Sequence, residues 1–348
     1  MKINAHLAIK GKKILIIGNR SYKNLGDELI VLWTTKTLLQ QKDPKECPEI
    51  TISCFNPQRL KKFFSQFFTT NELSKITFIH ELPKGVRSAF YWLKNWGIKE
   101  LKQFWQTDTI ILWGGEILTE ESPSAYRYRL VSMRPFLVAK CFHKKKYLYI
   151  MGGVQTPASP RKLKLLKFLL NRTTHLYLRD TQSVNEIKKL GYQNAEFFMD
   201  TSYFAYDWTE KTQQSTKDKY IIVNLNKNGE QFIESLISDI SKYLKQGYTV
   251  YYVPVAKGAN QYYQDIHYKK ILEKKLNHHL ETLDREEDFN HFVQLLKGAE
   301  IVISTRLHLF LIASFLRIPT KVYPYQKKIV KMKELISSLP ISRSTTLE

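Results

Sequence analysis

Apolar residues along this chain recur in two alternating rhythms. Short β-branched runs are followed by longer stretches in which apolar positions return every 3.6 residues, and the alternation continues from one end to the other. Such a pattern builds βα units and parallel sheets. In the first half it predicts strands at Lys13–Ile17, Ile50–Cys54, Ile76–Ile79, Thr109–Leu112, Tyr147–Ile150, Leu176–Leu178 and Glu196–Phe198. It predicts helices at Asp27–Leu39, Tyr128–Cys141, Arg161–Arg172 and Thr181–Leu190. From Asp207 to Lys219 the chain turns polar and loses its apolar period, which predicts a linker. The alternation then restarts with strand Tyr220–Asn224, helix Glu230–Lys245, strand Thr249–Val253, helices Tyr262–Leu276 and Phe289–Lys297, and strand Ile301–Ile303. Helix Leu307–Leu316, strand Lys321–Tyr323 and a closing helix near Val330–Ser337 complete it.

The expected architecture is α/β: two Rossmann-like doubly wound domains, residues 1–206 and 220–348, joined by a linker at 207–219, in a GT-B-like arrangement. Ligands of open parallel sheets sit at the carboxyl ends of the strands, so the residues just after predicted strands are where chemistry is expected. A length of 348 residues is long for one core and comfortable for two.

Composition narrows the partners. Lys and Arg outnumber Asp and Glu by 54 to 32, a formal charge of +22, which favours anionic partners of any kind: phosphorylated substrates, anionic lipid or nucleic acid. Runs such as Lys144-Lys145-Lys146 and the Lys327-Lys328 pair are most often just solvated faces. The three cysteines, Cys47, Cys54 and Cys141, are not spaced as zinc ligands and make no disulfide framework, so no metal is expected and a reducing cytoplasm is. The N-terminus carries no apolar signal core, and the most apolar stretch, Ile301–Leu316, is short and interrupted by Arg306 and His308. A cytoplasmic protein is expected, with a basic surface suited to peripheral contact with the inner face of an anionic plasma membrane.

The unusual residues do follow the strands. Gly18 to Glu28 joins the first strand to the first helix and carries Asn24, Gly26, Asp27 and Glu28. Its glycines let backbone approach a ligand, and a helix start offers free N–H groups. It is neither a dinucleotide fingerprint nor a P-loop, and acids in a first turn also serve simply to offset the helix dipole. Gly114-Gly115 and Gly152-Gly153 follow two further strands and suit a cleft floor. Arg179 ends another strand, beside Asp180 as the expected N-cap; its fork suits a carboxylate or phosphate, although a surface arginine next to a capped helix reads as well. Arg306 and His308, in Ser304-Thr305-Arg306-Leu307-His308, interrupt an apolar strand-to-helix segment; Thr305 is the expected cap. A guanidinium, an imidazole and a helix N-terminus together make an anion site with an acid/base group, the alternative being a salt-bridged arginine and a core histidine. Lys328, in Tyr325-Gln326-Lys327-Lys328, adds a positive charge after the last strand, or is one more surface lysine.

These residues, in this order, resemble the polysaccharide pyruvyltransferase family. The resemblance rests on the Gly18–Glu28 opening, on Gly114-Gly115 and Gly152-Gly153, on Arg179-Asp180 with Ser183, on Asp200, on Arg306-Leu307-His308 and on the tail from Tyr325 to Lys328, and it covers about residues 13–335. It implies phosphoenolpyruvate as donor, a glycan or lipid-linked sugar as acceptor, a pyruvate ketal and phosphate as products, and no cofactor. It further implies that Arg179 and Arg306 hold the donor's anionic groups and that His308 is the acid/base residue. Glu116 and Leu309 depart from the family's pattern, which bears on the acceptor more than on the donor.

That chemistry suits the residue types. An enol phosphate forms a ketal by protonation at its methylene carbon, attack by one hydroxyl and displacement of phosphate by a second, so it needs anion neutralisation, a proton donor and a base. Asp27, Glu28 and Asp200 are the candidates for the base. A GT-B glycosyltransferase using a nucleotide-sugar donor is the competing expectation. A specific nucleic-acid binder is disfavoured, because no recognised module is present and the aromatic residues read as core.

Overall fold

The computed structural model describes residues 7–18, 24–40, 47–81, 97–118, 147–154, 156–198, 219–257, 264–283 and 288–338. The predicted helix Tyr128–Cys141, the predicted linker at 207–219 up to residue 218, and Asp200 lie outside the described residues. The chain forms two compact units, Lys2–Ser21 with Asp27–Thr201, and Tyr22–Gly26 with Ser202–Glu348.

The N-terminal unit runs β1 (Lys13–Ile17), α1 (Leu25–Gln40), β2 (Glu49–Cys54), α2 (Pro57–Phe64), α3 (Thr70–Ser74), β3 (Ile76–His80), α4 (Gly97–Gln106) and β4 (Thr109–Leu118). It continues with β5 (Tyr147–Val154), α5 (Pro160–Leu170), β6 (His175–Leu178), α6 (Thr181–Lys189) and β7 (Ala195–Phe197). Leu25 and Gly26, the first two residues of α1, belong with the other unit. The seven strands are parallel in the order β3-β2-β1-β4-β5-β6-β7. The central strands β1 and β5 are buried on both faces and mostly apolar; Leu15, Ile17, Ile110, Leu112, Leu148, Ile150 and Leu176 pack with Leu166, Leu169 and Ile187 of α5 and α6. Strand order reverses between β1 and β4, so the ligand-binding switch point of this sheet lies beyond Ile17 and Trp113.

The C-terminal unit runs β8 (Tyr220–Asn224), a 3₁₀ turn (Lys227–Phe232), α7 (Ile233–Lys245), β9 (Thr249–Tyr252), α8 (Asp265–Leu276), β10 (Glu281–Thr282) and α9 (Phe289–Gly298). It ends with β11 (Val302–Ser304), α10 (Leu307–Phe315), β12 (Thr320–Val322) and α11 (Lys327–Ser338). Five parallel strands lie in the order β10-β9-β8-β11-β12, reversing between β8 and β11. Helix α10 is buried all round apart from half-buried His308, which accounts for its largely apolar sequence. Among the described residues no helix is long and apolar enough to cross a bilayer.

Candidate functional site

At the switch point of the C-terminal sheet, β8 ends on Asn224 and β11 on Ser304, neighbours in register. The chain leaves β11 through Thr305 and Arg306. Thr305 does not cap α10, as the sequence suggested: its Oγ1 accepts the Asn226 N–H at 3.0 Å, and the N-cap position is taken by Arg306. Ser304 Oγ accepts the Arg306 N–H at 2.8 Å and fixes that corner. The Arg306 guanidinium then turns to Asp265, the first residue of α8, with Nη2 donating to Oδ1 at 2.6 Å and Nε to Oδ2 at 3.3 Å.

Asp265 is buried, with 1% exposure, and its Oδ2 is heavily subscribed. It accepts Asn224 Nδ2 at 3.0 Å and the N–H groups of Val255 and Ala256 at 3.0 and 3.1 Å. Tyr252 beneath donates its hydroxyl to the Asp265 carbonyl at 2.6 Å; burial first, then the neighbouring carboxylate, raise that phenol far above its ordinary range. Burial works against the charge on Arg306, but Asp265 outweighs it and holds the guanidinium above its usual value. The pair occupies one edge of the guanidinium, and the side chain keeps 22% exposure. A planar fork with one edge anchored presents its other N–H groups in a fixed direction.

Two more of the expected residues reach this place. The Asn24 side chain accepts the Gly26 N–H at 3.1 Å, and Leu25 N–H donates to Val255 O at 3.0 Å, which seats this segment beside the strand-end loop that holds Asp265. The His308 ring lies against the Cα of Gly26, where a β-carbon would overlap Nδ1, Cε1 and Cγ. Only glycine admits the imidazole there. Tyr325 of the tail receives a hydrogen bond from Asn226 Nδ2 at 3.2 Å. Lys328 is the second residue of α11, and its side chain is outside the described residues.

In the N-terminal unit the diglycines meet across β4 and β5. Gly114 is the register partner of Gly152 and Glu116 of Gly153, so Gly115 is the extra residue of a bulge. Gly18, at φ +131°, leaves β1 so close to the Trp113 carbonyl that no side chain fits. Arg179 is buried at the end of β6, its N–H donating to Gly152 O at 3.3 Å, and Asp180 caps α6 through Ser183 N–H at 2.7 Å. Asp27 is half-buried in the first turn of α1. Glu28 is wholly buried and ion-paired to Arg59 of α2, so its carboxylate is committed to the protein.

The structure thus brings together Asn24, Gly26, Arg306 and His308 in one unit, and Gly114, Gly115, Gly153 and Arg179 along the strand ends of the other. Sequence reasoning passed over Asp265, Asn224 and Asn226. Asn224-Leu225-Asn226 at a strand end was a usable signal; Asp265 gave none, since an acid in a first helical turn is ordinary. Among the described residues no group of three or more His, Cys, Asp or Glu is arranged to hold a metal.

The fold is shared with UDP-N-acetylglucosamine 2-epimerases. The Rickettsia bellii enzyme matches at a TM-score of 0.55 and 14% identity, over 95% of this chain and 89% of its own. The Neisseria meningitidis enzyme, solved with UDP-GlcNAc bound, matches at a TM-score of 0.55 and 12% identity, over 91% of this chain and 84% of its own. At such identities the likeness is one of fold, and it agrees with two Rossmann-like units of the GT-B class. No curated protein matches the chain in sequence. A family model described as polysaccharide pyruvyl transferase matches residues 24–326, a span that holds Asn24, Gly26, Arg179, Arg306 and His308. The chain belongs to the polysaccharide pyruvyl transferase family.

Proposed function

We propose that this transferase takes its pyruvyl group from phosphoenolpyruvate and closes it as a ketal across two hydroxyls of a glycan or lipid-linked sugar. The observation that carries the reading is the Arg306 guanidinium, anchored on one edge by Asp265 and partly exposed at a sheet switch point, with His308 two residues on in the same helix start. A fixed fork suits a compact anion carrying a carboxylate and a phosphate. In this reading Arg306 neutralises the donor and His308 protonates its methylene carbon. One acceptor hydroxyl adds at the electron-poor carbon, and a second displaces the phosphate. Two carbon–oxygen bonds form and the carbon–oxygen bond to phosphate breaks. Of the two hydroxyl protons, one restores His308 and the other is taken up by a base and passed on to the departing phosphate. Glu28 is committed to Arg59, so we propose Asp27 as the base that relays the acceptor's proton, Asp200 lying outside the described residues. No step in this scheme uses a metal or cofactor.

The test supplies the protein with phosphoenolpyruvate and candidate surface glycans, and follows phosphate release together with the glycan's mass. Acceptor-dependent phosphate release with a pyruvate-ketal mass gain supports the reading. Release of a nucleotide from a sugar nucleotide, with phosphoenolpyruvate inert, replaces it with glycosyl transfer.

A further inference from the structure

The positive charge of this chain is not evenly spread. Between Ser122 and Arg179 there are thirteen Lys or Arg residues and no Asp or Glu, out of a total formal charge of +22. Helix α5 lies inside this acid-free stretch, and its sequence, PRKLKLLKFLL, holds four basic residues and no acid. Burial divides the helix sharply. Leu166, Leu169 and Leu170 face the sheet, while Arg161, Lys164, Lys167 and Phe168 are exposed, with Asn171 and Arg172 continuing the same side past the helix end.

Phe168 is 40% exposed in the middle of this basic face, and the Arg172 guanidinium lies 3.6 Å from its ring centre. The Tyr192 hydroxyl donates to Asn171 Oδ1 at 2.7 Å and so ties the turn after α6, which follows exposed Lys188 and Lys189, to the last turn of α5. Nearby acids are otherwise engaged: Glu186 accepts Thr156 N–H and Gln182 Nε2, and Glu196 pairs with His175.

We infer that the exposed face of α5 is a docking surface for an anionic phospholipid bilayer. A basic helix face with an exposed aromatic ring in its middle suits contact with an acidic headgroup layer. The charge is complementary to acidic headgroups. Arg172 already covers one face of the Phe168 ring, which takes away a stacking surface a nucleic-acid base would use, while a lipid phosphate meets the guanidinium directly. Helix α5 starts six residues after β5 ends, at the carboxyl edge of the sheet beside Gly152 and Gly153, so a bilayer along this face runs up to the strand ends where ligands are expected.

The experiment is sedimentation of the whole protein with vesicles of phosphatidylcholine alone or of phosphatidylcholine mixed with phosphatidylglycerol. Recovery is expected on the acidic vesicles only, falling as salt is raised. The double variant R161Q/K164Q changes two exposed side chains and should fold as the parent; it should lower partitioning by at least about tenfold, and F168S by about fivefold. Equal recovery on neutral vesicles, no recovery on either, or unchanged recovery of R161Q/K164Q overturns the inference. So does polyuridylate RNA that displaces the protein from the vesicles at equal charge. The readout is binding and not turnover, so its failure is distinct from failure of the donor assignment.

Discussion

The Asp265 carboxylate grips the Arg306 guanidinium at two points, Oδ1 to Nη2 at 2.6 Å and Oδ2 to Nε at 3.3 Å, from a helix that begins 41 residues earlier in the chain. Asp265 is itself held by Asn224 and two backbone N–H groups, so the pair is part of the sheet-end framework and not a surface ion pair. Replacing Asp265 by Asn removes the negative charge and leaves a half-buried guanidinium without its counter-charge. Stability should fall by about 3 kcal/mol, as expected for a broken buried pair. Denaturant unfolding measures this, and an unchanged midpoint would show that the pair contributes nothing.

Arg306→Lys keeps the charge and loses the planar fork. A lysine cannot hold Asp265 on one edge while offering a second edge outward, so the KM for phosphoenolpyruvate should rise by at least about tenfold. The fold should survive, since an ammonium can still meet the carboxylate. Steady-state kinetics at saturating acceptor decide it, and a parental KM would return Arg306 to a purely structural role.

How much of this was legible depends on how locally each feature is encoded. Strands such as Lys13–Ile17 and Tyr220–Asn224 stand where the pattern put them, because a strand buried on both faces must be an unbroken apolar run. β4 and β5 run on past their predicted ends, through Trp113–Leu118 and Met151–Val154, because each continues to pair with the other beyond Leu112 and Ile150. Strand β10 has two exposed polar residues and no pattern to read. Helices α2 and α3 were passed over although Asn56 and Thr69 cap them, since they are short and set between two strands. Thr305 was misassigned because a hydroxyl before a helix is read as a cap, whereas here the partner is Asn226, far away in sequence. The Arg306–Asp265 pair and the seating of His308 on Gly26 exist only once the topology is known.

Gly26→Ala separates the helix from the site. Gly26 sits in the first turn of α1 with no positive φ, so alanine suits the backbone there. Its methyl group, however, occupies the space of the His308 ring, which must swing away. Turnover should fall by about a hundredfold or more, approaching the loss in His308→Ala, while the melting temperature stays near that of the parent. Full activity in Gly26→Ala would mean that the placement of the imidazole is immaterial to the reaction.

Asp239 gives the acid limb of stability. It lies on α7 with 10% side-chain exposure, its Oδ2 meeting Lys321 Nζ at 2.7 Å and the Tyr323 hydroxyl, and its Oδ1 lying 3.6 Å from Lys242 Nζ. Burial pushes this carboxyl up, but the hydrogen bonds from Lys321 and Tyr323 and the nearby lysine charges outweigh it and hold the pKa below the ordinary value of 3.8. A carboxyl whose folded value is depressed binds its proton more readily in the unfolded chain. Its contribution is therefore complete above the unfolded value and is lost as pH falls through the folded one. Asp239→Asn should cost about 1–3 kcal/mol at neutral pH, and the gap between parent and variant should begin to close near about pH 4 as pH falls. Unfolding midpoints of both proteins across that range test it; a gap that stays constant down to about pH 2 would assign the acid loss to other carboxylates.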